Sequence, residues 1–393
     1  MRVLHTSDWH MGRMFHGRDL LADQEAVLGA LADLVADERV DLVVVSGDLY
    51  DRAVPSGEAV AACTRVLKSI KAAGAQIVVT PGNHDSAPRL GAFGEFTAAG
   101  GLHLRTRVAE LAAPVLLEDR HGPVAVYGIP YLEPEPARVA LGTPQAKGHA
   151  GVLAEAMRRV RADLATRPAG TRSVVLAHAF VTGGQGCASE RTIAVGGIEQ
   201  APAAAFDGVD YVALGHLHGP QRLAEHLRYS GSPLAYSFSE ARHHKSVWLV
   251  ELDAGGLAGV QRHELPVPRR LDTLTGTLDD LLADPAHEPH TDAYLSVELT
   301  DPVRPTDPLR RLQRRFPHAV HLEWRPDGGF AAGALRYSRA ARGRTDLEVA
   351  CCFVDDCRGA APNERERELL GAALVAAAAM EPGAERPARE AAA

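Results

Sequence analysis

The chain has 393 residues, 46% hydrophobic and 23% charged, enough for two or three domains with a sizeable core in the first. With 42 Lys and Arg against 50 Asp and Glu, the net charge of -8 excludes a globally basic nucleic-acid coat. A polyanionic substrate would therefore need a local basic patch or metal ions. The five cysteines (Cys63, Cys187, Cys351, Cys352 and Cys357) form no C-x-x-C pair, so neither a disulfide framework nor a thiolate zinc site is expected. Met1 to His10 carry no basic-then-apolar leader, and the apolar runs Leu42–Val45 and Leu369–Met380 are too short to span a bilayer. A reducing cytoplasm is the expected location.

In chain order, buried strands are predicted at Arg2–His5, Leu42–Ser46, Ile77–Thr80, Ser173–Ala177 and Tyr211–Leu214. Helical spacing joins Leu20, Gln24, Val27, Leu28, Leu31, Leu34 and Val35, and again Val60, Thr64, Leu67 and Ile70. Val124–Tyr127, Arg228–Ser230, Val247–Leu252 and Leu257–His263 read as hairpin-connected strands. The expected class is an α/β sandwich of mixed sheets flanked by helices. Pro266 and Pro268 mark a domain boundary, giving a first domain over 1–265. A small α+β domain follows over 266–344, with helices near Leu278–Leu282 and Leu309–Phe316 and strands at Tyr294–Leu299 and Val320–Trp324. Two helical patterns fill 345–380, and a polar Ala/Pro-rich stretch, 381–393, is expected to be disordered.

Five short motifs each follow a predicted strand: Ser7-Asp8-Trp9-His10, Gly47-Asp48-Leu49-Tyr50-Asp51-Arg52, Gly82-Asn83-His84-Asp85, Ala177-His178-Ala179 and Gly215-His216-Leu217-His218. Strand ends are where an α/β scaffold presents groups to a common crevice. Asp, Asn and His without thiolate suit Mn²⁺ or Fe²⁺, with Zn²⁺ also open. One octahedral ion has no use for seven such ligands, whereas two ions sharing a carboxylate use all of them. Such a pair clamps a phosphoryl group and activates a bridging water. Taken singly, each fragment is also explained by a turn or a structural histidine.

The order D-x-H, G-D-x-x-D, G-N-H-D, H, G-H-x-H resembles the calcineurin-like metallophosphoesterases. The text around it, with Phe15-His16-Gly17, Leu20-Leu21-x-x-Gln24, Tyr127-Gly-Ile-Pro-Tyr-Leu132 and Tyr229-Ser-Gly-Ser-Pro-Leu-Ala-Tyr-Ser237, is similar to the SbcD nuclease family. That resemblance implies Asp8, His10, Asp48 and His218 around one metal, and Asp48, Asn83, His178 and His216 around a second. It implies His84 as the group that stabilises charge on phosphate or protonates the leaving 3′ oxygen, with Asp51 orienting it. It also implies a Mn²⁺-dependent 3′→5′ exonuclease on duplex ends and an endonuclease on single strands and hairpins, acting in DNA repair, recombination and replication. The partners implied are DNA, an SMC-like ATPase (SbcC) and a second copy within a heterotetramer near the nucleoid. A small-substrate phosphoesterase, or a metal-free scaffold that only binds DNA ends, are the alternatives.

Other residues carry weaker expectations. Asp85 is expected to cap the following helix, and Trp9 and Tyr50 to pack. His16 and Arg18 are candidates for DNA contact. His243 and His244 are discounted as a metal pair because strand neighbours point to opposite faces. Between Asp301 and Thr345 stand ten Arg against four acids, and Arg310, Arg311, Arg314 and Arg315 at helical spacing suggest a phosphate-gripping face of a capping domain. Asn363 and Glu366 predict a capping pair, and Val354, Leu370 and Leu374 are candidates for the ATPase contact.

Overall fold

The computed structural model describes residues 1–190, 200–326, 343–358 and 360–380. The stretch expected to be disordered, 381–393, lies outside them. The chain divides into two compact units, Met1–Leu271 and Asp272 onward.

The first unit is built on two six-stranded sheets. In the first sheet β1 (Arg2–Thr6), β4 (Leu42–Ser46), β5 (Gln76–Thr80) and β6 (Leu102–Leu104) run parallel, and an antiparallel hairpin of β13 (Ser246–Asp253) and β14 (Gly256–Glu264) flanks β1. In the second, β8 (Gly122–Ile129), β9 (Arg172–His178), β10 (Tyr211–Gly215) and β12 (Leu227–Tyr229) are parallel, with β7 (Val115–Asp119) and β11 (Gln221–Arg222) antiparallel at the edges. Both sheets are therefore mixed. The strand β12 pairs parallel with β10 because its hairpin partner is the short β11 on its other side.

Period-two alternation sets what each face buries. Leu42, Val44 and Val78 of the first sheet meet Val126, Val174 and Leu176 of the second in a core between the sheets. On one flank α1 (Leu21–Asp37) buries Val27, Leu28, Leu31 and Val35, and α2 (Gly57–Ala72) buries Ala62, Cys63, Val66 and Ile70. Two short helices, α3 (Ala87–Leu90) and α4 (Gly94–Ala99), lead from β5 to β6. On the other flank Val175, Ala177, Val212 and Leu214 turn outward, beside α5 (Pro134–Ala140) and beneath α6 (Gly148–Leu164), against Val152, Ala156, Met157 and Val160. Each such aliphatic side chain contributes about 1.5–3 kcal/mol by leaving water. Ser56 starts α2 by accepting from Ala59 N.

Several elements carry no strong sequence signal. A two-residue turn, His16 and Gly17, both at positive φ, joins β2 (Met14–Phe15) to β3 (Arg18–Asp19). The edge strand β7 and the helices α5 and α6 likewise go beyond what the hydrophobic pattern predicts.

The second unit has a three-stranded sheet, β15 (Leu271–Gly276), β16 (Tyr294–Leu299) and β17 (Ala319–Trp324). Its core joins Leu274, Leu278, Leu281, Leu295, Val297, Leu299, Leu312 and Phe316. The helix expected over Leu309–Phe316 covers only Pro308–Leu312. Pro317 disfavours helix in the residue before it, and the chain turns instead. The four arginines divide by their bonding partners. Arg311 pairs with Asp279, and Arg315 donates to the carbonyls of Leu281 and Asp284, while Arg310 and Arg314 are exposed. Part of the arginine-rich stretch, 327–342, lies outside the described residues.

Two further helices, Asp346–Arg358 and Glu364–Met380, contact each other. Reciprocal bonds between Thr345 and Glu348 cap the first, and between Asn363 and Glu366 the second. Val354, Leu370 and Leu374 are half-buried, and it is Phe353, Leu369 and Val375 that stand exposed.

Candidate metal centre

The residues that follow β1, β4, β5 and β10, and the last residue of β9, converge at the carboxyl ends of the parallel strands. Asp8 and His10 come from the turn after β1, Asp48 and Asp51 from that after β4, and Asn83 and His84 from that after β5. The second sheet supplies His178, His216 and His218. The turns are tight enough that Asp8, His10, Asp48 and His216 adopt φ of 55°, 46°, 51° and 104°. Left-handed backbone in a non-glycine residue costs about 1–3 kcal/mol and persists only where surrounding structure enforces it.

The glycines of the motifs explain the close approach. A Cβ on Gly82 would lie 2.1 Å from Asp48 Oδ1, one on Gly47 2.2 Å from His178 Nδ1, and one on Gly215 1.8 Å from the Ser46 carbonyl. Only a residue without a side chain fits there.

The donor atoms form two adjoining groups. On one side His10 Nε2 faces His218 Nε2 at 3.1 Å, with Asp8 in the same cluster. On the other, Asn83 Oδ1 lies 2.9 Å from His178 Nε2 and 3.3 Å from His216 Nδ1. Between them sits Asp48, whose Oδ2 is 3.6 Å from His10 Nε2 and 3.5 Å from His178 Nε2. Asp8, His10, Asp48, His178, His216 and His218 are all at most 4% exposed.

The electrostatics fit bound cations. Burial, reinforced by the Asp48 charge, pushes the Asp8 carboxyl well above its usual range. Burial also lowers the imidazoles of His10 and His216 and brings His178 down to about 4, so these rings present lone pairs. Bare imidazoles packed against buried carboxylates are a donor set for divalent metal and a poor one for anything else.

His84 lies beside this set. Its backbone N–H donates to Asp48 Oδ1 at 2.8 Å, and its Nε2 is 3.9 Å from Asp48 Oδ2. Asp51 meets it differently from the expectation. The His84 Nδ1 bonds the Asp51 backbone carbonyl at 2.8 Å, and the carboxylate stands 4.0 Å away, closer to Arg13 at 3.3 Å. The tight turn after Asp48 turns the Asp51 carbonyl, rather than its side chain, to the ring.

Asp85 does not cap the next helix. Its carboxylate accepts from Leu49 N, Tyr50 N and Gly82 N, tying the second and third motifs together, and burial followed by the Asp48 charge raises it to about 7. Trp9 is fully buried and donates to Thr6 Oγ1. His16 and Arg18 sit exposed on the β2–β3 hairpin, His16 against Phe238. His243 and His244 occupy the turn ahead of β13 rather than a strand, and among the described residues neither joins a metal-ligating group.

Sequence reasoning does not single out the supports. Gln24 is buried and donates to the carbonyls of Trp9 and His10 while accepting from Gly12 N, so α1 holds the first motif. Tyr236 donates to the Trp9 carbonyl and accepts from Gln24. Ser189, Glu190, Glu240 and Lys245 surround His218. The one signal in the sequence is Gln24 on the buried stripe of α1, a polar residue where an aliphatic one is the rule.

A family profile described as calcineurin-like phosphoesterase matches residues 1–220, more than half of the chain. The chain belongs to that family. A calcineurin-like phosphoesterase is a metal-dependent enzyme, and its buried Asp/His cluster is a divalent-metal centre. Residues 267–356 match a second profile, that of the SbcD C-terminal region, described as type 5 capsule protein repressor C-terminal domain. Among characterised relatives, the SbcD subunit of the SbcCD nuclease from Staphylococcus epidermidis is 27% identical over 82% of this chain and 85% of its own length. Two solved structures, the protein TT1561 of Thermus thermophilus and a dimetal phosphatase from Danio rerio, are 15% and 12% identical, each covering 67% of this chain and 98% of its own, with TM-scores of 0.39 and 0.37. No helix among the described residues is long and apolar enough to cross a membrane.

Proposed function

We propose that this phosphoesterase is a Mn²⁺-dependent DNA nuclease subunit of the SbcD type, cutting duplex ends 3′→5′ and single strands or hairpins endonucleolytically, in complex with an SMC-like ATPase. The observation that carries the reading is the pair of donor groups meeting at Asp48, with His84 held beside them. The relative in Staphylococcus epidermidis, named as part of a nuclease, and the second profile beyond residue 266 support DNA over a small phosphoester.

In this reading Asp8, His10, Asp48 and His218 hold one ion and Asp48, Asn83, His178 and His216 the other. Two bound divalent ions supply a phosphate clamp and a water of lowered pKa. The chain's own residues do the rest. His84 Nδ1–H is committed to the Asp51 carbonyl, so a proton delivered to the leaving oxygen comes from Nε2 of the doubly protonated ring. Asp51, Arg13 and the His84 backbone bond to Asp48 fix where that Nε2 points. The ATPase is received by the C-terminal helices through the exposed Phe353, Leu369 and Val375, flanked by Val354, Leu370 and Leu374. The exposed Arg310 and Arg314, with His16 and Arg18, meet DNA phosphates.

The test compares Mn²⁺-dependent cleavage of a 5′-blocked DNA hairpin with that of a p-nitrophenyl phosphodiester, with and without the ATPase. Hairpin cleavage that rises with ATP and ATPase is expected. Turnover of the small diester with an intact hairpin would point to a small-substrate phosphoesterase instead.

A further inference from the structure

Four buried side chains converge on the back of His218. The ring nitrogen turned away from His10, Nδ1, lies 2.8 Å from Ser189 Oγ. That hydroxyl donates to Glu240 Oε1, and the other carboxylate oxygen pairs with the Lys245 ammonium. Lys245 also donates to the His218 carbonyl and to Ser232 Oγ, both at 2.9 Å. His218, Glu240 and Lys245 are 1%, 1% and 3% exposed, and Ser189 is 9% exposed.

The protons follow by elimination. A carboxylate buried against an ammonium is ionised and only accepts. A serine hydroxyl has one proton, and here it goes to Glu240. Ser189 can then only accept from His218, so Nδ1 carries the imidazole proton and Nε2 is left with its lone pair. That lone pair belongs to the atom 3.1 Å from His10 Nε2, on the metal side of the ring. Glu240 Oε1 itself is 3.5 Å from Nδ1, at the edge of hydrogen-bond reach, so the serine at 2.8 Å is the nearer partner of the ring. The hydroxyl is in turn fixed from its own backbone. Arg13 Nη2 donates to the Ser189 carbonyl at 3.0 Å, and the neighbouring Glu190 accepts the His218 backbone N–H at 2.7 Å.

We propose that Ser189, backed by Glu240 and Lys245, is a positioning residue that sets the tautomer and rotation of His218 and so presents its Nε2 to a divalent cation. This rests on reading His218 as a metal ligand. Outer partners of ligating histidines act this way, and their loss typically weakens metal affinity by about 10–100-fold.

The test is a calorimetric Mn²⁺ titration of the full-length chain, stripped with chelator, as wild type, Ser189→Ala, Ser189→Cys, Ser189→Thr and His218→Ala. Thermal unfolding of each metal-free protein checks the fold, and Ser189→Cys keeps the volume while giving up the strong hydroxyl. Wild type should bind two ions. Ser189→Ala and Ser189→Cys should weaken one of them about 10–100-fold and leave the other unchanged, Ser189→Thr should restore most of the loss, and His218→Ala should abolish the same ion. If Ser189→Ala binds both ions as wild type does while His218→Ala loses one, the hydroxyl merely packs and the proposal fails with the ligand assignment intact. If His218→Ala keeps both ions, the ligand assignment fails and takes the proposal with it.

Discussion

A methyl group on Gly82 would place its carbon 2.1 Å from Asp48 Oδ1, far inside van der Waals contact, although Gly82 supplies no ligand. Gly82→Ala is therefore expected to lose metal and to slow cleavage by about 10²-fold or more, the usual result of displacing a reacting group by an ångström. Elemental analysis beside a rate measurement checks it. His84→Gln has the opposite signature: both ions stay bound and the rate falls about 10²–10⁴-fold, as for a lost acid–base group. Loss of metal in step with activity would make His84 a ligand. Asp48→Ala should disturb both ions in a Mn²⁺ titration, because its Oδ2 faces both donor groups. The motif residues are legible in the sequence because five such fragments follow one another in order at strand ends, although each alone could be a turn or a structural histidine. Of their supports only Gln24 shows, as a polar residue on a buried stripe; Ser189, Glu240 and Lys245 do not, because each is by default a surface residue. Their partners are brought in by the fold, as when Tyr236 meets Gln24 from 212 residues away. For Asp51 the sequence points to the right neighbour and the wrong atom, since spacing does not say whether a turn offers its carbonyl or its side chain.

The second sheet is pinned at one edge by a charge pair. Arg172 opens β9 and donates to both oxygens of Asp119, which ends β7, and to the carbonyl of Gly122, which opens β8. The Arg172 guanidinium holds the Asp119 carboxyl well below its ordinary value of 3.8. A depressed carboxyl adds stability that is complete above the ordinary value and is lost as pH falls through the folded one. Acidification below that value should therefore lower the melting temperature of the wild type more steeply than that of Asp119→Asn. At neutral pH Asp119→Asn should already be destabilised by about 3 kcal/mol, because it leaves a buried guanidinium unpaired. Denaturant melts at a series of pH values measure both. Among the arginines of the second unit, Arg310→Gln with Arg314→Gln should weaken DNA binding and flatten its salt dependence without altering stability. Arg315→Gln should instead lower stability, since its guanidinium satisfies two carbonyls of its own unit. Unchanged DNA affinity in the double variant would leave that surface merely solvated. Charge spacing alone does not say which of the four arginines are spent on bonds within their own unit.

At the scale of the molecule, chemistry and coupling lie far apart in sequence. Every candidate ligand, with His84 and Asp51, precedes residue 219, whereas the helices proposed to receive the ATPase begin at Asp346. A chain ending at Arg344 is expected to keep Mn²⁺-dependent cleavage of single strands and to lose both co-purification with the ATPase and ATP-driven processing of duplex ends. Pull-down beside nuclease assays with and without ATP decides it. Undiminished ATP-dependent activity would mean that the ATPase docks elsewhere. The α/β class is legible from alternating runs such as Leu42–Ser46 and the stripe along α1. The closing edges of the sheets are not, because β6, β7 and β11 are short or half-exposed and their pairing is decided by neighbours distant in sequence.

The division of the candidate ligands between the two sheets has a further consequence. Asp8, His10, Asp48 and Asn83 belong to the first sheet and His178, His216 and His218 to the second, so neither sheet has a complete site. A cation held there would be a reversible cross-link between chain segments 95 to 208 residues apart, made only when both sheets are in place. Metal and folding are then thermodynamically linked: at a hundredfold excess over its dissociation constant, each ion stabilises the native chain by about 3 kcal/mol. Chelation should lower the melting temperature, and Mn²⁺ added above a site's dissociation constant should raise it with the logarithm of concentration, with a slope that grows with the number of ions bound. A melting curve thus counts bound ions with no substrate present, and a melting temperature indifferent to Mn²⁺ would mean that the two sheets do not share their metals.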